Sequence, residues 1–154
     1  MLLEGNCLSE DHRISKERNL SLRIRDRVCS FLEEYSITSL RDYQRILRAF
    51  GACLYFPKRL PLKISGITIP AGEGRLVTVV NGNYVGTRKG IAVWREIAHI
   101  PLGHCRGSAV VTFDCPVTDT DYTSFLFAAE MVNALSRGRD RDEYDIPGGF
   151  PYRP

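Results

Sequence analysis

Leu76-Val77-Thr78-Val79-Val80 is the clearest strand in the chain, and Asn81-Gly82-Asn83 closes it with a turn. A few residues later the period changes. Ile91, Trp94, Ala98 and Leu102 recur at three- and four-residue steps, which predicts a helix from about Thr87 to Leu102 with Gly103 at its end. A β-branched run, a tight turn and an amphipathic helix in that order commit the chain to sheet packed against helix.

The flanking segments repeat both patterns. Leu20, Ile24, Val28, Phe31 and Leu32 predict an amphipathic helix, and Leu40, Tyr43, Leu47 and Phe50 a second one. Ser39 with Asp42 three residues on has the form of a capping box, and Gly51 ends that helix. Cys53 to Phe56, Ile64 to Ile69 and Ala109 to Phe113 are further strand candidates, separated by Pro57, Pro61, Pro70, Gly72 and Gly74. A last helix covers about Thr120 to Ser136, with Tyr122, Phe125, Leu126, Ala129 and Val132 expected to face inward. The fold class is therefore α+β: two N-terminal helices, a small and mainly antiparallel sheet, a central helix and a C-terminal helix.

At 154 residues the chain fits one domain, placed over residues 19–137. Residues 1–18 are polar and are expected to form a flexible leader. Residues 138–154 are charged, then rich in Gly and Pro, and are expected to be disordered. The 21 basic and 18 acidic side chains give a net charge of +3, too balanced to argue for nucleic acid. Near the start, Arg13, Lys16, Arg18, Arg23, Arg25 and Arg27 are interleaved with acids, as on a solvated helix face. With no helix-turn-helix signature either, no direct nucleic-acid binding is expected. Five cysteines at wide spacings, with no CxxC, suit reduced thiols in the cytoplasm. The start lacks the basic leader and apolar run of a signal peptide, and no segment reaches the ~18 apolar residues that span a bilayer. A cytoplasmic protein without a membrane partner is expected.

The stretch that carries chemistry is Trp94-Arg95-Glu96-Ile97-Ala98-His99-Ile100-Pro101-Leu102-Gly103-His104. An HExxH zinc helix places two histidines one turn apart on one cation, and its glutamate polarises the attacking water. Here Glu96 and His99 hold the second and fifth positions, and Arg95 stands in the first. Taken alone, E-x-x-H is a weak signal, because a Glu and a His three apart occur by chance in many helices.

The surroundings extend the likeness. Ile64-Ser65-Gly66, then Leu76 to Val80, then REIAHIPLGH, then Asp121-Tyr122-Thr123-Ser124-Phe125-Leu126-Phe127-Ala128-Ala129-Glu130 follow in order over residues 20–137. This order resembles the ImmA/IrrE family of zinc metallopeptidases, whose motif helix reads like AHELGHxLLGH and whose later helix reads like ExxAxxFAAxLL. The resemblance implies a zincin-like fold in which the last helix supplies the third ligand. It points to Glu96 as the catalytic residue and to zinc as the cofactor, held by His99 and Asp121. Glu130, on the same helix, is the alternative ligand. Asp121 also has a plain reading as a helix N-terminal carboxylate favoured by the macrodipole.

Arg95 counts against that site. A guanidinium offers only donors and cannot ligate a metal. Two unit charges at ~4 Å cost about 4 kcal/mol at an effective dielectric near 20, and a divalent ion roughly doubles that. Arg95 is therefore either a cation standing in for the metal, paired with Asp121 or Glu130, or a surface arginine. His104 is a further candidate ligand: it lies five residues beyond His99, where Pro101 can kink the helix and Gly103 can turn the chain back towards the site. Cys105 beside it is read as a buried inert thiol rather than a ligand.

Two functions from different classes follow. The resemblance implies an endopeptidase acting on a protein partner such as a transcriptional repressor, impaired by Arg95. The alternative is a non-catalytic pseudoprotease that binds a protein regulator.

Overall fold

The computed structural model describes residues 7–136. The chain forms α1 (Cys7–Glu34), α2 (Tyr43–Ala49), β1 (Ala52–Tyr55), β2 (Ile64–Pro70), β3 (Leu76–Val80), α3 (Gly86–Ala98), β4 (Val110–Phe113) and α4 (Asp119–Ser136). The domain is α+β, with four helices and one four-stranded mixed sheet. Residues 1–6 of the expected leader and the tail over 138–154 lie outside the described residues.

Residues 7–18, placed in the leader by the sequence, are helical and form the start of α1. No Gly or Pro interrupts the stretch from Cys7 to Glu34, and its Glu, Arg, Lys and Leu residues favour helix. Arg13 and Glu17 add an exposed i,i+4 pair at 3.9 Å. From Ile24 onward α1 packs on the core through Ile24, Val28 and Phe31. It stops at Ser36, which adopts φ +48, and the Ile37 N–H bonds back to Leu32 O at 2.9 Å. Ile37 is buried next to this turn, the arrangement of a Schellman stop.

The capping box at Ser39 and Asp42 is present and opens a short 3-10 turn that runs into α2. Trp94 sits at the centre of the core with no exposure, and its indole N–H donates to Leu40 O at 3.0 Å. Phe127 and Met131 of α4, Ile46 of α2 and Ile97 of α3 complete this centre.

The sheet order is β1-β3-β2-β4. β1 runs parallel to β3, whereas β2 is antiparallel to both β3 and β4. The expected antiparallel character therefore holds for two of three pairings. The faces of this sheet differ in an unusual sense. Thr68, Thr78 and Thr112 are fully buried on the helix side. The register places Tyr55, Val79, Ile67 and Val111 in one row on the opposite side. Tyr55, Ile69 and Val111 on that outer side remain 55%, 37% and 40% exposed.

Two helices depart from the sequence reading. α3 ends at Ala98 rather than Leu102, because Pro101 cannot donate and disfavours helical backbone at Ile100. α4 is rotated from the expected face. Asp121, Ser124, Phe127, Ala128 and Met131 are its buried residues, and Tyr122 is 41% exposed. No helix among the described residues is long and apolar enough to cross a membrane.

The connection from Pro57 to Lys63 has no regular structure but is firmly held. The Asn83 side-chain amide donates to Lys58 O at 3.0 Å and Leu60 O at 3.5 Å, and the Asn81 amide donates to Pro61 O at 3.0 Å. The Tyr84 hydroxyl donates to Leu62 O at 2.8 Å. Backbone N–H groups of Gly82 and Asp114 take the carbonyls of Pro57 and Lys63. A Cβ on Gly82 would lie 2.4 Å from Phe56 O, so a glycine is needed for this approach.

Candidate functional site

The last turns of α3 place Arg95, Glu96 and His99 against the polar face of the sheet and the start of α4. All three are buried. Glu96 reaches into the sheet, where Thr68 Oγ1 donates to its Oε2 at 2.7 Å. Among the described residues its Oε1 has no hydrogen-bond partner. Gly66 makes the room, since a Cβ there would lie 2.4 Å from Glu96 Oε1. Burial pushes the Glu96 carboxyl up to about 7, with hydrogen bonds from Thr112 and Thr68 and the Arg95 charge acting in the opposite sense.

Beyond Ala98 the chain turns through Pro101 and Gly103, the latter at φ +70. The His104 N–H returns to His99 O at 2.9 Å, and Arg27 of α1 clamps Pro101 O through Nε at 3.2 Å and Nη2 at 2.9 Å. This turn brings His104 beside His99, with the two Nδ1 atoms 2.8 Å apart. His99 Nε2 lies 2.8 Å from Thr112 Oγ1. Each contact of His99 shares one proton between its two atoms, so the tautomers of His99 and His104 are set together. Burial, then the neighbouring His104 and Arg95 charges, pushes His99 down to about 3, so the ring stays neutral.

Asp121 begins α4. Its Oδ1 accepts from Phe113 N–H at 3.1 Å and its Oδ2 from Val117 N–H at 3.4 Å. Arg95 faces it, with Nη2 3.7 Å from Asp121 Oδ1 and both side chains almost fully buried. Arg95 Nη1 donates to Asp114 O at 3.4 Å, while Nε and Nη2 have no hydrogen-bond partner among the described residues. Burial lowers the Arg95 pKa, and the Asp121 charge is the main influence raising it. The structure thus joins Arg95, Glu96, His99, His104 and Asp121. It does not join Glu130. Nine residues along a helix place Glu130 about half a turn around α4 from Asp121 and roughly 13 Å further along its axis. Burial pushes the Cys105 thiol up to about 11, so it is not a ready thiolate.

These donors do not fit zinc as arranged. Both His99 nitrogens are engaged, both Asp121 oxygens accept backbone N–H groups, and a guanidinium points at the carboxylate. Among the described residues, no group of three or more His, Cys, Asp or Glu side chains is placed to hold a metal ion. Sequence reasoning did not find Thr68, Thr112 or Asp114 as members of the cluster. The alternation of β2 and β4 was the available signal, because it puts the two threonines on the face that meets α3.

Comparison with protein-family models, curated proteins and solved structures returned no match.

Proposed function

We propose that this chain is a metallopeptidase-like domain, resembling the ImmA/IrrE family, that works by binding a protein partner rather than by cutting one. The observation that carries this reading is the buried Arg95–Asp121 pair, 3.7 Å apart. The resemblance expects a divalent cation between the motif helix and the last helix, and here a fixed monovalent cation comes from the motif helix itself. Arginine keeps its charge at any ordinary pH and tolerates burial beside a carboxylate. Arg95 therefore ties α3 to α4 without a metal, and Glu96 has no metal-bound water to activate. The partner is a regulatory protein such as a transcriptional repressor. The cytoplasm is the proposed location, in keeping with the free thiols of Cys29, Cys53, Cys105 and Cys115.

Elemental analysis of the purified protein and of Arg95→His tests this reading. The native chain is expected to hold little zinc and to cleave nothing. Arg95→His is expected to gain zinc affinity, because it restores a ligand and removes a positive charge. Stoichiometric zinc and proteolysis in the native chain would overturn the reading.

A further inference from the structure

The outer sheet face and the Pro57–Lys63 connection carry a second inference, separate from the Arg95 cluster and valid whether or not a metal binds. The carbonyls of the connection are turned inward by the hydrogen bonds described above, so its side chains face solvent on a fixed backbone. Lys58, Arg59 and Lys63 are exposed, and no acidic side chain among the described residues pairs with them. Leu62 between them is 65% exposed, and Val85 on the adjoining turn is 78% exposed. Tyr55 ends β1 two residues before the connection begins, and its register row runs to Val111.

We propose that the outer sheet face together with the Pro57–Lys63 connection docks a protein partner that presents carboxylates beside apolar side chains. Four strands of this length cover roughly 300 Å². A stable interface takes about 800 Å² from each side, so the sheet face alone is too small and the basic connection belongs to the same footprint. The same figure argues against a second copy packed sheet to sheet. Nucleic acid has no use for exposed Leu62 and Val85. Leu62 and Val85 beside basic side chains also meet the needs of an anionic lipid surface, but the flat pleated row from Tyr55 to Val111 suits a complementary protein face better than a bilayer, and the vesicles below separate the two. Fixed cations around exposed aliphatic groups suit a partner of matching pattern, with little ordering needed on this side.

The test is a titration of the full-length ¹⁵N-labelled chain, followed by amide shifts. The probes are a synthetic peptide of mixed glutamate, leucine and phenylalanine, polyglutamate of equal charge, phosphatidylserine vesicles and a short DNA duplex. The mixed peptide is expected to shift residues 58–63 and the strands carrying the outer row. The triple change Lys58→Glu, Arg59→Glu, Lys63→Glu is expected to weaken it by about tenfold or more, and Leu62→Ser by about threefold. Circular dichroism and melting temperature of both variants are expected to match the native chain. The proposal fails if polyglutamate binds as well as the mixed peptide, if vesicles or DNA bind more tightly, if the shifts fall elsewhere, or if nothing binds.

Discussion

Arg95 of α3 and Asp121 of α4 face each other at 3.7 Å, almost wholly shielded from water. The two ends of this pair are supported unequally. Asp121 also accepts two backbone N–H groups, whereas Nε and Nη2 of Arg95 have no hydrogen-bond partner among the described residues. Removing the carboxylate therefore strands a buried cation and two backbone donors together. Asp121→Ala is expected to cost about 3–5 kcal/mol. Arg95→Met leaves the carboxylate with its backbone donors and fills similar volume, so its cost should be clearly smaller. Urea unfolding of the two single variants and the double variant measures both values and their coupling. Equal losses from the two single changes would contradict this asymmetry.

Gly66 is tied to Glu96 by space rather than by backbone conformation. A methyl group at Gly66 would collide with the carboxyl group, 2.4 Å from Oε1 and 2.5 Å from Cδ. Gly66→Ala is expected to destabilise the chain by about 1–3 kcal/mol, the usual range for overpacking a filled interior. Shortening the partner should relieve the clash. The double change Gly66→Ala, Glu96→Ala should therefore lose less than the two single changes added together. Additive losses would show that the contact is not what requires glycine.

Much of this frame could be read from residue order. The capping box at Ser39, the turn after Val80 and all four strands come from local rules that tertiary packing leaves intact. The rotation of α4 did not, because its apolar residues lie on nearly every side and the period cannot choose among them. The face that packs inward carries Asp121 and Ser124, held there by Arg95, β4 and the α3 end rather than by hydrophobicity. The candidate site was legible in part for the same reason. Arg95, Glu96 and His99 share a helix and a spacing. Thr68 and Thr112 join them only through strand pairing, and His104 joins through a turn whose direction depends on Arg27 gripping Pro101 O.

The pH dependence follows from two opposed groups. Glu96 has its pKa raised from 4.5 to about 7, so its contribution is fully present below pH 4.5 and is lost as pH rises through 7. His99 has its pKa lowered from 6.5 to about 3, so its contribution is present above pH 6.5 and is lost as pH falls towards 3. Between pH 4.5 and 6.5 the two slopes cancel, and these groups together leave stability nearly flat. Glu96→Gln removes the opposing limb. Its unfolding midpoint should climb steadily from about pH 3 to 6.5, following His99 alone. A flat profile in that variant would mean that His99 is not kept neutral by burial.

The connection between β1 and β2 offers a check on rigidity. Asn81 is fully buried and its side-chain amide holds Pro61 O at 3.0 Å and Ile64 O at 2.8 Å, while its Oδ1 accepts from Asn83 N–H at 3.0 Å. Asn81→Ala removes the side-chain donor from two part-buried carbonyls, of which Pro61 O keeps the Ile64 N–H, at a cost of about 1–3 kcal/mol. Tyr84→Phe removes only the hydroxyl that bridges Leu62 O and the Asp114 carboxylate, at about 1 kcal/mol. Both changes should speed amide exchange locally at residues 58–64, with the larger effect from Asn81→Ala. Helix α1 packs far from these bonds and should exchange as before, apart from the uniform shift set by global stability. Exchange that rises equally everywhere would mean that the connection opens only when the whole domain unfolds, and that its fixed shape does not depend on these two side chains.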